Sequence, residues 1–511
     1  MLNTEVIRKQ FPFLQQVLEI RAESSIKEER AFLDNTASTQ LPLPVLEHIA
    51  KSLFTYANIH RGEYDASQIT TEEFERAYNV TANLVNAEHW QEIVLGRNTT
   101  EMINLAMRTM SDDFRDGDNI VATRLEHNSN YVPWYGLQQL LARRGIDIEI
   151  KLVDFNKETG ELDMQQLERL VDNKTKLVTA TGASNFMGIK PDIKTIGKIA
   201  HASGYSQPRP DGFSGSYFLV DAAQLVPGTP VDVQEIDCDF LAWSFHKMAL
   251  PLGVGGLYAK KAILESLDPF LYGGDMIEDV QEGLVEYKEI PWKFTAGTPN
   301  ILGTIGTGYG IMHMMNIGLG NIFNILDVSK DEEVRLTGEQ IKTEVLMNTP
   351  RGELNIPYNV APHLADTWRA YLGQNPGLVA SLREPKARLA LSRDVVKRAM
   401  TNIMQHEEEL TQKMLYALAE IPGVKIYGTM DATKRSGLAA FEIDGIESQS
   451  VAFQLNQNGI EARNGNHCAS LAHQYVGIEG SVRLSFYVYN NQADVAKAAI
   501  AVEEISKTVR G

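Results

Sequence analysis

From about residue 90 to residue 260, short apolar runs alternate with stretches whose apolar positions recur at helical spacing. The runs predict strands at Glu92–Leu95, Asn119–Thr123, Asp147–Leu152, Thr175–Thr181, Tyr217–Asp221, Phe240–Ser244 and Gly256–Tyr258. Between most of them, Glu101–Met110, Tyr135–Arg144, Met164–Val171 and Ile193–Ser203 are expected to be helices. Strands alternating with helices predict an α/β fold around a mostly parallel, seven-stranded sheet covered on both faces. Ligands of such sheets sit beyond the carboxyl ends of the strands. Thr99 and Thr100, Glu126 and His127, Ser184 and Asn185, Asp221, and Ser244 to Lys247 all fall at those ends, which predicts one shared site.

Past residue 300 the texture changes. Ile301–Ile317 reads as a long helix leading out of the first domain, and Asp394–Ala419 as another. Val424–Tyr427, Leu438–Ile443, Gly459–Arg463, Val482–Ser485 and Asp494–Val509 read as a smaller α/β domain. Residues 328–392 are rich in charge and proline with weak periodicity, and partly helical around Leu364–Leu372. They predict an insertion at the domain junction, and loops of that length are usually functional or mobile. The expected division is an N-terminal segment (1–30) packing with the small domain, a large domain (31–300), a connecting helix (301–327), the insertion (328–392) and a small C-terminal domain (393–511).

Composition narrows the function. A chain of 511 residues exceeds what one core usually supports, and 43% hydrophobic content is ordinary for a globular protein. The formal net charge of −18 argues against nucleic acid as a partner, while leaving room for a local cationic pocket. Two cysteines, Cys238 and Cys468, make no disulfide framework, and a reducing compartment is the simpler expectation. The N-terminus has no signal-peptide core and no apolar run is long enough to span a membrane, so a cytoplasmic protein without a metal site is expected.

The strongest chemical constellation is Leu219-Val220-Asp221-Ala222-Ala223-Gln224, followed downstream by Ser244-Phe245-His246-Lys247. A lysine at the end of a buried strand is desolvated, and a desolvated amine has a lowered pKa and can condense with an aldehyde cofactor. A pyridoxal ring then needs an acid paired with its nitrogen to act as an electron sink. Asp221 suits that position, and Gln224 could hydrogen-bond the phenolic oxygen. A phosphate needs neutral donors at a helix N-terminus. Asn98-Thr99-Thr100-Glu101 opens such a helix, and Ser244 and His246 could add donors. Cys468 lies in the polar loop Arg463-Asn464-Gly465-Asn466-His467-Cys468-Ala469, where exposure beside cations favours a thiolate. Cys238, just before an apolar strand, reads as a small buried hydrophobe. Arg483, in Ser481-Val482-Arg483-Leu484-Ser485-Phe486, could hold an amino-acid carboxylate with two parallel hydrogen bonds.

With these residues in order, the sequence resembles the class V aminotransferase group of fold-type-I pyridoxal-phosphate enzymes. Within that group it is most similar to the SufS-type (group II) cysteine desulfurases and selenocysteine lyases. The matching stretches are residues 32–40, 57–62, 99–105, 126–134, 184–185, the block from Asp221 to Lys247, and residues 273–277, 296–300 and 467–469. They cover nearly the whole chain outside 328–392. The resemblance implies pyridoxal 5′-phosphate in the large domain, attached to Lys247 and held by Thr99, Thr100, Asp221, Gln224, Ser244 and His246. His127 would stack on the ring and help move protons. Asn185 would contact the ring oxygen or the substrate carboxylate, with Arg483 as the carboxylate anchor and Asn35 also near the substrate. Thr298 would reach the phosphate of the partner subunit, implying a homodimer with composite sites. Cys468 would be the nucleophile.

Three positions depart from the family pattern. Asn466 stands where a second polar ring residue is usual, Thr295 replaces the usual acid before Ala296-Gly297-Thr298-Pro299-Asn300, and the insertion lies near the junction. The reading is an enzyme that takes sulfur or selenium from L-cysteine or selenocysteine through a persulfide on Cys468, releases alanine, and could pass the sulfur to an acceptor protein. Two rivals stay open. One is another pyridoxal-phosphate enzyme on this scaffold: a C–S β-lyase, a sulfinate-releasing or decarboxylating enzyme, or a carbon–carbon bond-forming enzyme of secondary metabolism. The other is a non-catalytic protein that has kept the fold.

Overall fold

The computed structural model describes residues 2–15, 30–320 and 385–508, with the short strands Arg335–Leu336, Glu339–Gln340, Met347–Thr349 and Gly352–Leu354 between them. The expected helix around residues 364–372, most of the 328–392 segment and residues 16–29 lie outside the described residues.

Seven strands build the large sheet: β1 (Ile93–Gly96), β2 (Asn119–Thr123), β3 (Glu149–Val153), β4 (Thr175–Thr181), β5 (Tyr217–Asp221), β6 (Phe240–Ser244) and β7 (Gly255–Ala259). Their order is β1-β7-β6-β5-β4-β2-β3. Strands β2 to β6 pair in parallel, and β7 runs antiparallel to both β1 and β6. Strands β2, β4, β5 and β6 coincide with the predicted runs residue for residue, and the other three shift by one or two residues at each end. These runs are legible because every residue of β2, β4, β5 and β6 is buried, as expected for a sheet covered on both faces.

Helices Thr99–Thr109, Met164–Leu170 and Ile193–His201 each begin on a side-chain cap. Asn98, Asp163 and Asp192 accept from the backbone N–H of Glu101, Gln166 and Thr195 respectively. Helix Ile301–Gly318 has no Asp, Glu, Lys or Arg and is buried along nearly its whole length, enclosed on all sides. Its glycines let neighbours come close: a Cβ at Gly308 would sit 2.9 Å from Ala77 Cα in helix Asp65–Val85. Gly308→Ala should therefore overpack this contact and cost about 1–3 kcal/mol. A clear drop in unfolding temperature is the expected result, and an unchanged one would refute the tight contact.

A second, antiparallel sheet joins β8 (Val424–Tyr427), β9 (Leu438–Ile443), β10 (Arg463–Gly465) and β11 (Ser481–Ser485) in the order β8-β9-β11-β10. Its apolar face packs with residues of helices Pro385–Ala419, Ser448–Gln457 and Gln492–Lys507 in a separate core cluster. The expected strand Gly459–Arg463 is divided: Ile460–Glu461 pairs with Ala31–Phe32, and Arg463 begins β10. The N-terminal residues also reach this part of the chain, through an Arg8–Asp494 ion pair at 3.0 Å and an edge contact between Phe11 and Tyr489.

Candidate active site

The carboxyl ends of β4, β5 and β6 open into a cavity of about 550 Å³, within the usual range for small-molecule sites. Eleven predicted residues line it: Thr99, Thr100, His127, Asn185, Asp221, Gln224, Ser244, His246, Lys247, Cys468 and Arg483. Parallel pairing sets Thr181 beside Asp221, and Asp221 beside Ala242 of the strand that leads to the Lys247 turn. Residues 34–40 wrap that turn. Thr39 N–H donates to the His246 carbonyl (2.9 Å), Thr39 Oγ1 accepts from Ala249 N–H (2.6 Å), and Gln224 Nε2 donates to the Thr36 carbonyl (2.8 Å).

One end of the cavity is built for an anion. The N-terminus of helix Thr99–Thr109 faces it, and the hydroxyls of Thr99, Thr100, Ser129 and Ser244 cluster there. Ser244 Oγ accepts from Thr99 N–H (2.7 Å), and Thr100 Oγ1 hydrogen-bonds Ser129 Oγ (2.7 Å). A Cβ at Gly255 would meet the Asn98 backbone at 2.6 Å, so β7 can pass this close to the helix start only with glycine there. Burial first, and then the Lys247 charge, hold His246 neutral with a pKa near 4.

In the middle, Asp221 is buried and accepts a hydrogen bond from Ala223 N–H (3.0 Å). Burial raises the pKa of its carboxyl, against the pull of Ala223 N–H and Lys247. Burial lowers the Lys247 amine to about 8, with Arg483 adding to the shift and Asp221 and Cys468 opposing it. His127 is lowered to about 4 by burial, then by Lys247 and Arg483. Its Nδ1 accepts from Ser129 N–H (3.0 Å), so the ring is neutral and oriented. Glu126, next to it, is fully buried and pushed up to about 8, and its carboxyl bridges Thr181 N–H and Asn130.

At the far end, Arg483 donates to the Asn185 carbonyl (2.7 Å) and lies 3.6 Å from Asp34. Asp34 also takes a forked pair of hydrogen bonds from Arg463, which stands opposite Arg483 across β10 and β11. Asn185 Oδ1, His467 Nδ1 and Arg483 Nε are buried and lack a hydrogen-bond partner among the described residues, as expected of a site that takes a polar ligand. Cys468 is exposed and lies within electrostatic reach of Lys247, Arg483 and Arg463. Cys238 is fully buried, as expected.

Two of the expected residues are absent from this lining, Thr298 in keeping with its expected place at a partner subunit's site. Asn35 does not line the cavity: its Nδ2 donates to the Ser485 carbonyl (2.6 Å) and to Asn490 Oδ1 (3.0 Å), and its Oδ1 accepts from Tyr489. Thr298 is exposed and also outside the lining. Ser129, Thr181, Asp34 and Arg463 had no role in the sequence reading. Ser129, Asp34 and Arg463 stand within the motifs named above, but their roles depend on contacts across the fold.

These residues fit pyridoxal phosphate. The anion end offers hydroxyls and a helix N-terminus, the centre offers a buried carboxylate opposite a depressed amine, and the far end offers a guanidinium. No group of acidic, histidine or cysteine side chains arranged to hold a metal occurs among the described residues, and no described helix is long and apolar enough to cross a membrane.

Comparison with known proteins agrees over the full chain. A probable cysteine desulfurase of Halalkalibacterium halodurans is 31% identical over 98% of both chains. The cysteine desulfurase of Haloferax volcanii is 28% identical over 98% of this chain and 96% of its own length. The apo structure of a cysteine desulfurase from Thermococcus onnurineus superposes with a TM-score of 0.73 at 26% identity, covering 99% of each chain. The aminotransferase class-V family matches residues 31–332 and 389–497, so residues 333–388 fall between the two matched ranges. A match that takes in both sheets and every residue lining the cavity places this chain in the class-V aminotransferase family.

Proposed function

We propose that this chain is a pyridoxal-phosphate-dependent cysteine desulfurase that removes the sulfur of L-cysteine onto Cys468 and releases alanine. The observation that carries the reading is an exposed cysteine sharing one cavity with a depressed amine and a buried guanidinium. Thr99, Thr100, Ser244 and His246 would hold the cofactor phosphate, Asp221 its ring nitrogen, Gln224 its phenolic oxygen and Lys247 its aldehyde carbon. When bound, the cofactor supplies the electron sink for a negative charge at Cα.

The protein's part is positioning and proton handling. Arg483 binds the substrate carboxylate, and Asn185 holds that guanidinium through its carbonyl. The Lys247 amine, with a pKa near 8, takes the Cα proton near neutral pH. Cys468 then attacks the substrate sulfur: an S–S bond forms, the C–S bond breaks, and its electron pair leaves with the carbon fragment, which is protonated to alanine. The balance is L-cysteine plus the Cys468 thiol giving alanine plus the Cys468 persulfide. The relatives' names agree with this chemistry. The proposal extends to a homodimer, because Thr298 is exposed and outside its own cavity, as a residue serving another copy's site would be.

The test is to incubate holoenzyme with L-cysteine and identify products without reductant. Alanine and one added sulfur on the Cys468 peptide are expected. Pyruvate and ammonia, with no sulfur on that peptide, would identify a β-elimination instead. A second measurement checks the lysine. Borohydride should fix the cofactor's mass on the peptide containing Lys247, and a label on any other lysine would refute the assignment. Loading of cofactor-free protein should speed up with pH and level off above about pH 8.5. Roughly 3% of an amine with a pKa of about 8 is unprotonated at pH 6.5, against about three quarters at pH 8.5. A rate still climbing through pH 10 would mean an ordinary lysine.

A further inference from the structure

Three asparagines hold the backbone on either side of Cys468, Asn185 and Asn466 through their side chains and Asn128 through its own backbone N–H. The His467 carbonyl accepts from Asn185 Nδ2 (2.5 Å), the Cys468 carbonyl from Asn128 N–H (2.7 Å), and Cys468 N–H donates to Asn466 Oδ1 (3.0 Å). The Asn128 side chain also brackets the next turn: its Oδ1 accepts from Ser470 N–H (3.3 Å), and its Nδ2 donates to Ser470 Oγ (3.2 Å).

This grip opposes a strained backbone. His467 and Cys468 are consecutive non-glycine residues in the left-handed region, with φ of 52° and 56°. Such residues are strained and persist only where their surroundings over-determine them. Three hydrogen bonds fall on these two residues, and two more fix Ser470 just beyond them. Asn128 directly follows His127, so one short turn both presents the His127 ring to the cavity and grips the carbonyl of Cys468.

We propose that Asn128 is a positioning residue for sulfur transfer: its side chain anchors Ser470 and so keeps its backbone N–H on the Cys468 carbonyl, and with Asn466 it clamps the strained Cys468 loop in register with the His127 turn, so that the Cys468 sulfur meets the substrate sulfur without a search. The proposal rests on reading Cys468 as the persulfide-forming nucleophile. Amides do not titrate, so the clamp holds at any working pH, and the steep dependence of rate on alignment gives it kinetic weight. A displacement of about 1 Å can cost about 10²-fold.

The experiment compares Asn128→Ala, Asn128→Asp, Asn466→Ala and the Ala/Ala double variant as holoenzymes. Each is mixed with L-cysteine while cofactor absorbance reports substrate binding, and quenched alkylation without reductant reports sulfur on Cys468. Asn128→Ala should slow persulfide formation about 10- to 100-fold while the binding spectral change and KM stay near wild type. Asn128→Asp keeps the acceptor for Ser470 N–H and should recover most of the rate. The double variant should lose less than the product of the single losses, because both changes release the same loop. Hydrogen exchange at the Cys468 amide, read on cofactor-free protein, should accelerate in both single variants.

A wild-type persulfide rate in Asn128→Ala overturns the proposal. So does equal slowing of binding and persulfide formation, which would place Asn128 in ligand binding or general folding. If Asn128→Ala does not fold, Asn466→Ala and Ser470→Ala carry the test, and a wild-type persulfide rate in both overturns the proposal. A wild-type protein that never forms the persulfide would instead refute the functional reading, while the exchange measurement would still report whether the clamp exists.

Discussion

Cys468→Ala should bring alanine production from L-cysteine down by about 10³-fold or more while leaving the cofactor in place. The scale follows from losing a nucleophile whose covalent step replaces a slow uncatalysed one. Nothing in the cavity substitutes for it: Cys238 is fully buried before β6, and burial raises its thiol far above the ordinary range. Lys247, Asp221 and Arg483 are untouched by the change, so the protein should stay yellow and L-cysteine should still alter its absorbance. The wild-type Cys468 peptide should gain one sulfur on exposure to cysteine and lose it to reductant. Selenocysteine is the informative second substrate, because selenium leaves carbon more readily and can depart without a nucleophile. A variant with full activity on L-cysteine would make Cys468 a pocket residue and favour an elimination or decarboxylation.

Asp221→Asn should keep the cofactor and lose turnover by roughly 10²- to 10³-fold, the usual size for removing one preorganised electrostatic partner. The phosphate end is intact in this variant, since Thr99, Thr100 and Ser244 form it independently. The loss arises at the ring, where a neutral amide no longer favours a protonated nitrogen. Glu126 cannot take over: burial pushes its pKa up to about 8, and its oxygens are already engaged by Thr123, Asn130 and the Thr181 backbone. Cofactor stoichiometry and kcat, measured together, check this. Near wild-type kcat with full loading would show that Asp221 does not serve the ring.

The parallel strands and the residues at their ends were legible because double burial writes a parallel strand as an unbroken apolar run, and the first polar residue after it marks the ligand face. That rule located Asp221 and the Lys247 turn directly. It could not find helix Asp65–Val85, whose buried side includes Ser67, Thr70, Thr71, Glu75, Asn79 and Thr81 and so blurs the apolar period. Nor could it place Asp34, whose bridge between Arg463 and Arg483 exists only once β10 and β11 are in register. Asn35 shows the opposite failure. An asparagine in a polar motif near a site suggests a ligand contact, but here the fold spends its amide on tying residue 35 to Ser485, Asn490 and Tyr489.

That tie has a consequence for how the protein comes into being. Asn35 and Ser485 are separated by 450 positions in the chain. At about 5–20 residues per second on the ribosome, the N-terminal motif waits roughly 20 to 90 s for its partner strand. The Lys247 turn, which residues 34–40 wrap, is synthesised well before β11 emerges. A nascent chain can therefore fold its large sheet early, but the arginine end of the cavity closes only near the end of translation. The place for a substrate carboxylate at Arg483 is thus completed only after β11 has been made, long after the Lys247 turn.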